Sequence, residues 1–106
     1  MNSLPLACDM NVFTPVERER HLQTTLQLFK TTLGFREALN GFEFDFPATA
    51  ETFTKLAEFI ANERLCCPFL EFTLKVMPES QLVTLILAGP EGAQEFLRAE
   101  FSEAFI

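Results

Sequence analysis

The dipeptide Asn40-Gly41 limits what this chain can fold into more than any other feature. It interrupts a run, residues 35–46, in which large apolar side chains alternate with charged ones. Asn-Gly is the preferred pair for a two-residue type I′ turn, whose twist matches that of the strands it joins. The pattern predicts a β-hairpin in which Glu37 lies opposite Phe44.

One charged residue falls on the apolar face of this hairpin. Glu37 shares that face with Phe35, Leu39 and Phe44. A carboxylate among phenylalanines has a raised pKa unless a partner compensates, which makes Glu37 a candidate proton donor or ligand. The alternative is a glutamate at the strand edge whose side chain reaches solvent.

Helical patterns flank the hairpin. Thr14 and Glu17 have the spacing of a capping box and predict a helix over residues 15–33. Its apolar face would consist of Leu22, Leu26, Phe29 and Leu33. His21 is predicted to be a partly exposed helix residue rather than a metal ligand. Thr49 predicts the start of a second helix that ends at the cysteine pair before Pro68. Its apolar face would consist of Phe53, Leu56, Ala57, Ile60 and Ala61.

Apolar runs predict three more strands. Residues 6–12 alternate as a half-buried first strand with Cys8 pointing inward, and residues 69–77 alternate as a fourth. The nearly continuous apolar run at 82–88 suits a central strand. A final helix follows, with an apolar face that would continue to Ala104 and Phe105.

The predicted order is β-α-β-β-α-β-β-α in a single domain, residues 1–106. This is an α+β fold with a ferredoxin-like, split β-α-β layout, in which helices cover one face of an antiparallel sheet.

Composition narrows the possible partners. A net charge of -7 argues against binding to nucleic acid or to an anionic membrane. The 13 phenylalanines, without any tryptophan or tyrosine, supply more apolar area than one small core hides, so we expect a homodimer. We find neither a signal-peptide pattern nor an apolar run of membrane-spanning length, and we expect a cytoplasmic location with reduced thiols.

Potentially reactive and metal-binding side chains are most concentrated at residues 63–72, which have the sequence E-R-L-C-C-P-F-L-E-F. Cys66 and Cys67 as thiolates can bind a soft metal or metalloid ion, with Cys8 as the third sulfur. Glu63, Arg64 and Glu37 are candidate supporting groups. A ferredoxin-like sheet would place Cys8 a strand length from Cys67, which argues against the three-sulfur site.

Other interpretations of the cysteine pair stay open. Adjacent cysteines lack the Cys-x-x-Cys spacing of redox sites. The pair also lies at a helix C-terminus, where the helix dipole disfavours the thiolate that a nucleophile needs. The simplest alternative is that both thiols pack a helix-to-strand corner.

Residues 63–72, with G-P-E-G at 89–92, resemble a family of small uncharacterised bacterial proteins with the motif E-R-x-C-C-P-F-x-x-F. Cys8 and the strand that begins at Gly41 also fit that family. The resemblance implies no reaction; a link to heavy-metal or metalloid response slightly favours a soft-ion site.

Three hypotheses follow for function. The first is a thiolate site for a soft metal or metalloid. The second is a dimerising or small-ligand-binding module with structural cysteines and a Phe-lined cavity. The third is an enzyme that uses Glu37 or Glu63 as a general acid or base.

Overall fold

The computed structural model describes residues 6–101 of the 106. The elements in chain order are a 3-10 turn (Met10–Val12), α1 (Pro15–Phe29), β1 (Gly34–Ala38), β2 (Gly41–Pro47), α2 (Ala50–Cys66), β3 (Glu71–Val76), β4 (Leu82–Ala88) and α3 (Ala93–Glu100). Ala104 and Phe105, predicted on the last helix, lie outside the described residues. Among residues 6–101, no helix has the length and apolar content needed to cross a membrane.

The four strands form one antiparallel sheet in the order β1-β2-β4-β3. β2 and β3 both pair antiparallel with β4, so they run parallel to each other on either side of it. β2, α2 and β3 therefore form a split β-α-β unit. The α+β class and the antiparallel sheet with helices are confirmed.

The prediction of a first strand at residues 6–12 is wrong. In the sheet, β4 fills the central position that this strand would take. The Asp9 side chain accepts a hydrogen bond from the Asn11 amide (3.0 Å) and starts the 3-10 turn. The Asp9 amide donates to the carbonyl of Cys66 (2.8 Å), which places the segment beside the end of α2. An alternation of apolar and polar residues shows only that one side of a segment is buried. Residues 6–12 are partly buried on one side in this way, but they pair with no strand.

Helix α1 is shorter than predicted, and the side that it buries differs from the predicted one. It ends at Phe29, because the Leu33 amide donates to the Asp45 carbonyl of β2 (2.8 Å) and already follows the sheet. The buried side of α1 consists of His21, Leu28 and Phe29. Leu22, Leu26 and Leu33, predicted to be internal, are all exposed.

The hairpin forms, with its register shifted by two residues. Glu37 lies opposite Phe42, and Ala38 lies opposite Gly41. The turn is therefore Leu39-Asn40, with Asn40 in the left-handed conformation (φ 52°). A shift of two keeps each side chain on its predicted face, because side chains alternate with period two.

The core lies between one face of the sheet and the helices. Six fully buried side chains of the two central strands form its floor: Phe42, Phe44, Phe46, Val83, Leu85 and Leu87. Phe29 of α1 joins the layers, with ring centroids 5.1 Å from Phe44, 5.4 Å from Phe59 and 5.0 Å from Phe101. This aromatic packing fixes the position of α1 over the sheet.

Gly41 is the glycine at which replacement by alanine would disturb the sheet most. A Cβ there would overlap the Leu87 carbonyl oxygen of β4 and lie 2.8 Å from the Ala88 Cα. We expect Gly41→Ala to lower the free energy of unfolding by about 2 kcal/mol, because the backbone of β2 must move away from β4. Urea unfolding measures the change. Gly34→Ala is the control, since its Cβ meets nothing within 4 Å, and an equal loss in both variants would contradict the prediction.

Candidate functional site

The site lies on the buried face of α2. The inward side chains of α2 are Thr52, Leu56, Phe59, Glu63 and Cys66. Their spacing of three or four residues continues one stripe along the helix. Ala57 and Ala61, predicted on the apolar face, are exposed instead. The true stripe carries a carboxylate and a thiol into the core.

The end of α2 turns the second cysteine inward as well. The predicted end of the helix before Pro68 is confirmed, since α2 ends at Cys66. The Cys67 amide donates to the Glu63 carbonyl (2.8 Å), and the Cys67 carbonyl accepts from the Leu70 amide (3.2 Å). Adjacent thiols would diverge on a regular helix, whereas here both are buried.

The structure also places Cys8 beside Cys66 and Cys67 at the end of α2. Cys8 and Cys67 are joined in a disulfide, with Cα atoms 4.6 Å apart, and Cys66 is the free cysteine. The objection that Cys8 would lie a strand length away does not hold, because residues 6–12 are not in the sheet. The expectation that all three thiols are reduced is not met for Cys8 and Cys67 in this structure.

Three sulfur atoms and one carboxylate converge. Ligand atoms of Cys8, Glu63, Cys66 and Cys67 all lie within 4.8 Å of one another. The sulfurs of Cys66 and Cys67 are 3.7 Å apart. The two oxygens of Glu63 lie 3.6 Å from the Cys66 sulfur and 3.4 Å from the Cys67 sulfur. The free Cys66 thiol can donate a hydrogen bond to this carboxylate, whereas the disulfide-bonded Cys67 sulfur has no proton to donate. This is a compact group of atoms of the kind that binds thiophilic ions.

His21 holds the carboxylate from the opposite side. Its Nε2 donates to Glu63 Oε1 at 2.7 Å, with His21 4% and Glu63 5% exposed. Phe13 and Phe59 flank the imidazole, at centroid distances of 5.3 and 5.9 Å. The prediction that His21 is partly exposed is wrong. Its spacing of seven residues from Leu28 is the signal that would have placed it inside.

Burial and charge keep the free thiol protonated. Burial, followed by the negative charge of Glu63, raises the pKa of Cys66 to about 12. Partial burial and the same charge raise the pKa of the Glu100 carboxyl. The Cys66 thiol is therefore a poor nucleophile at neutral pH, because the thiolate is the reactive form.

A cavity of about 880 Å³ adjoins the cluster. The residues that line it include Cys8, Cys66, Glu63 and His21. Its walls are mixed. Apolar side chains such as Leu22, Leu26, Phe29 and Phe101 lie beside polar ones such as Gln23, Gln27, Lys30 and Thr32. This volume is within the usual range for small-molecule pockets, roughly 300–1,000 Å³.

Two predicted supporting residues lie apart from the cluster. Of the two alternatives for Glu37, the structure agrees with the glutamate at the strand edge that reaches solvent, and Glu37 is not buried among phenylalanines. Its side chain is 67% exposed and forms an ion pair with Arg98 (3.1 Å). Ala38 and the turn follow it at once, and β1 is an edge strand, so its side chain reaches solvent. Arg64 lies on the exposed side of the last turn of α2.

Comparison with family models, curated proteins and solved structures finds no match for this chain. The resemblance to the E-R-x-C-C-P-F-x-x-F proteins stays a prediction.

The free thiol gives a direct test of the charge around it. With Cys8 and Cys67 disulfide-bonded, only Cys66 can react with iodoacetamide. We expect its rate still to rise about tenfold per pH unit at about pH 10, whereas an ordinary thiol levels off near its pKa of about 8.5. We expect Glu63→Gln to speed the reaction at about pH 8, because it removes a charge that raises the pKa. The control is Glu51→Gln, an exposed position on the same helix. An unchanged rate in Glu63→Gln would refute the electrostatic account.

The His21–Glu63 pair gives a test of stability. We expect His21→Leu to lower the free energy of unfolding by about 3 kcal/mol, because it leaves a buried carboxylate unpaired. The double variant His21→Leu/Glu63→Leu should recover part of that loss. Urea unfolding of both single variants and the double variant measures the coupling. Additive losses would show that the two side chains do not stabilise each other.

Proposed function

We propose that the reduced protein binds a soft, thiophilic metal or metalloid ion through Cys8, Cys66 and Cys67. The observation that carries the proposal is the convergence of three sulfurs and the Glu63 carboxylate within 4.8 Å. Two sulfurs bound to one ion at about 2.3 Å lie about 3.8 Å apart in tetrahedral geometry. The Cys66 and Cys67 sulfurs, 3.7 Å apart, already have that spacing.

The charges of the site favour a trivalent ion. Three thiolates carry three negative charges, which arsenic(III) neutralises in full. Zinc would leave surplus negative charge in a buried site, where uncompensated charge is costly. Glu63 has its own partner in His21 and need not supply charge to the ion. Hydrogen bonding of this kind also orients carboxylates near bound metals.

Binding requires that the Cys8–Cys67 disulfide first be reduced. Two equivalents of a monothiol supply the electrons and hydrogens, giving the two cysteine thiols and one external disulfide. Arsenous acid then reacts with three thiols to give the tris-thiolate and three molecules of water. The oxidised protein keeps one free thiol and forms no such site. Because cytoplasmic thiols are kept reduced, we propose a cytoplasmic location for the active form.

Native mass spectrometry tests the proposal. Reduced protein is mixed with one equivalent of arsenite, mercuric ion or zinc in turn. We expect a one-to-one adduct that is strongest with arsenite and absent from the oxidised protein. Cys8→Ser, Cys66→Ser and Cys67→Ser should each abolish the arsenite adduct, whereas the control Glu37→Gln should retain it. No adduct with any ion, or an arsenite adduct that survives Cys8→Ser, would refute the three-sulfur site.

A second candidate function is a small-ligand-binding or dimerising module with structural cysteines. The cavity beside the cluster favours it. A homodimer would also cover exposed apolar side chains such as Leu22, Leu26 and Leu33. For the enzyme alternative, Glu37 is exposed, and only Glu63 has the buried setting of an acid or base. Native mass spectra of the protein alone report the oligomeric state.

A further inference from the structure

The thiol cluster adjoins the cavity through two of its three sulfur residues. Cys8 and Cys66 line the cavity. Cys67 does not line it and is fully buried behind them. A molecule that enters through the cavity therefore meets two thiols first, with Glu63 and His21 beside them.

The cavity is much larger than an ion needs. An ion bound at about 2.3 Å from each sulfur fits inside the cluster itself. The remaining space, most of about 880 Å³, is lined by polar side chains and by apolar ones that include Leu26, Phe29 and Phe101. The apolar side chains of the lining stabilise an apolar group in proportion to the area they remove from water.

Two polar atoms at the cavity have no partner among the described residues. His21 Nδ1 and Thr32 Oγ1 are both buried and make no hydrogen bond, and both residues line the cavity. Buried polar atoms normally have a hydrogen-bond partner. A purely apolar group supplies no partner for either atom, so these two atoms mark where a polar ligand atom could bind and do not select an apolar ligand.

We infer that the ligand is an arsenic(III) compound that carries one apolar organic substituent, an inference that rests on the proposed function. Trivalent arsenic with one carbon substituent has two bonds left, which matches the two thiols at the cavity. The oxo form R–As=O reacts with the Cys8 and Cys66 thiols to give R–As(S–)2 and one water. The two thiol protons leave in that water, the As–C bond persists and no oxidation state changes. The substituent then occupies the cavity against the apolar part of its lining.

Phenylarsine oxide and arsenite distinguish this ligand from an inorganic ion. Both are added to the reduced protein in competition with 2,3-dimercaptopropanol, which corrects for the intrinsic strength of arsenic–sulfur bonds. We expect Cys67→Ser to abolish the binding of arsenite, because arsenite needs three thiols. The same variant should still bind phenylarsine oxide, which needs only two. Cys8→Ser and Cys66→Ser should lose both.

The cavity is tested separately by filling it. Leu26 lies on the wall and is 41% exposed. We expect Leu26→Trp to weaken phenylarsine oxide binding by about tenfold or more and to leave arsenite binding unchanged. Leu74→Trp is the matched control, because Leu74 is 39% exposed and lies on β3, outside the cavity. Retained arsenite binding shows that each variant is folded.

The outcomes separate the two proposals. If arsenite binds but Cys67→Ser loses phenylarsine oxide, or Leu26→Trp leaves its binding unchanged, the organic ligand is excluded and the three-sulfur ion site stands. If the reduced protein binds neither compound, both proposals fail.

Discussion

The carboxylate of Glu63 lies within the apolar stripe of α2, and its burial sets the arrangement of the elements around it. A buried charge without partners is costly, so something must approach it closely. His21 does so from α1, at 2.7 Å. Because His21 has to face α2, the buried side of α1 runs through Leu28 and Phe29. Leu22 and Leu26 are then turned outward along the cavity, which is therefore a consequence of the same contact.

The order of the strands has a similar effect on the thiols. β4 occupies the centre of the split β-α-β unit, so the chain before α1 is excluded from the sheet. That segment instead crosses the end of α2, held by the Asp9 amide on the Cys66 carbonyl. If residues 6–12 had paired with β3 and β2, Cys8 would point into the sheet core. The sulfur cluster therefore depends on residues 6–12 lying outside the sheet.

Much of the fold followed from local signals, and the site did not. Thr14, Thr49 and Asn40-Gly41 act through their own backbone neighbours, which is why α1, α2 and the hairpin begin or turn near the predicted positions. The faces of α1 and α2 were predicted by counting apolar residues, and this rule excludes His21 and Glu63 because both are polar. Their pairing links residues 42 positions apart, which no local pattern reports. Cys66 and Cys67 were identified by adjacency, but the approach of Cys8 required the tertiary structure.

The Cys8–Cys67 disulfide also affects how strongly the chain as a whole resists unfolding. It closes a loop of 59 residues that contains α1, the hairpin and α2. In the chain-entropy model, such a loop restricts the unfolded state by about 4 kcal/mol. An ion or organoarsenic group shared by Cys8 and either cysteine of the pair closes nearly the same loop. The protein would then exchange one cross-link for another, and its resistance to unfolding would report whether the pair is oxidised, empty or loaded.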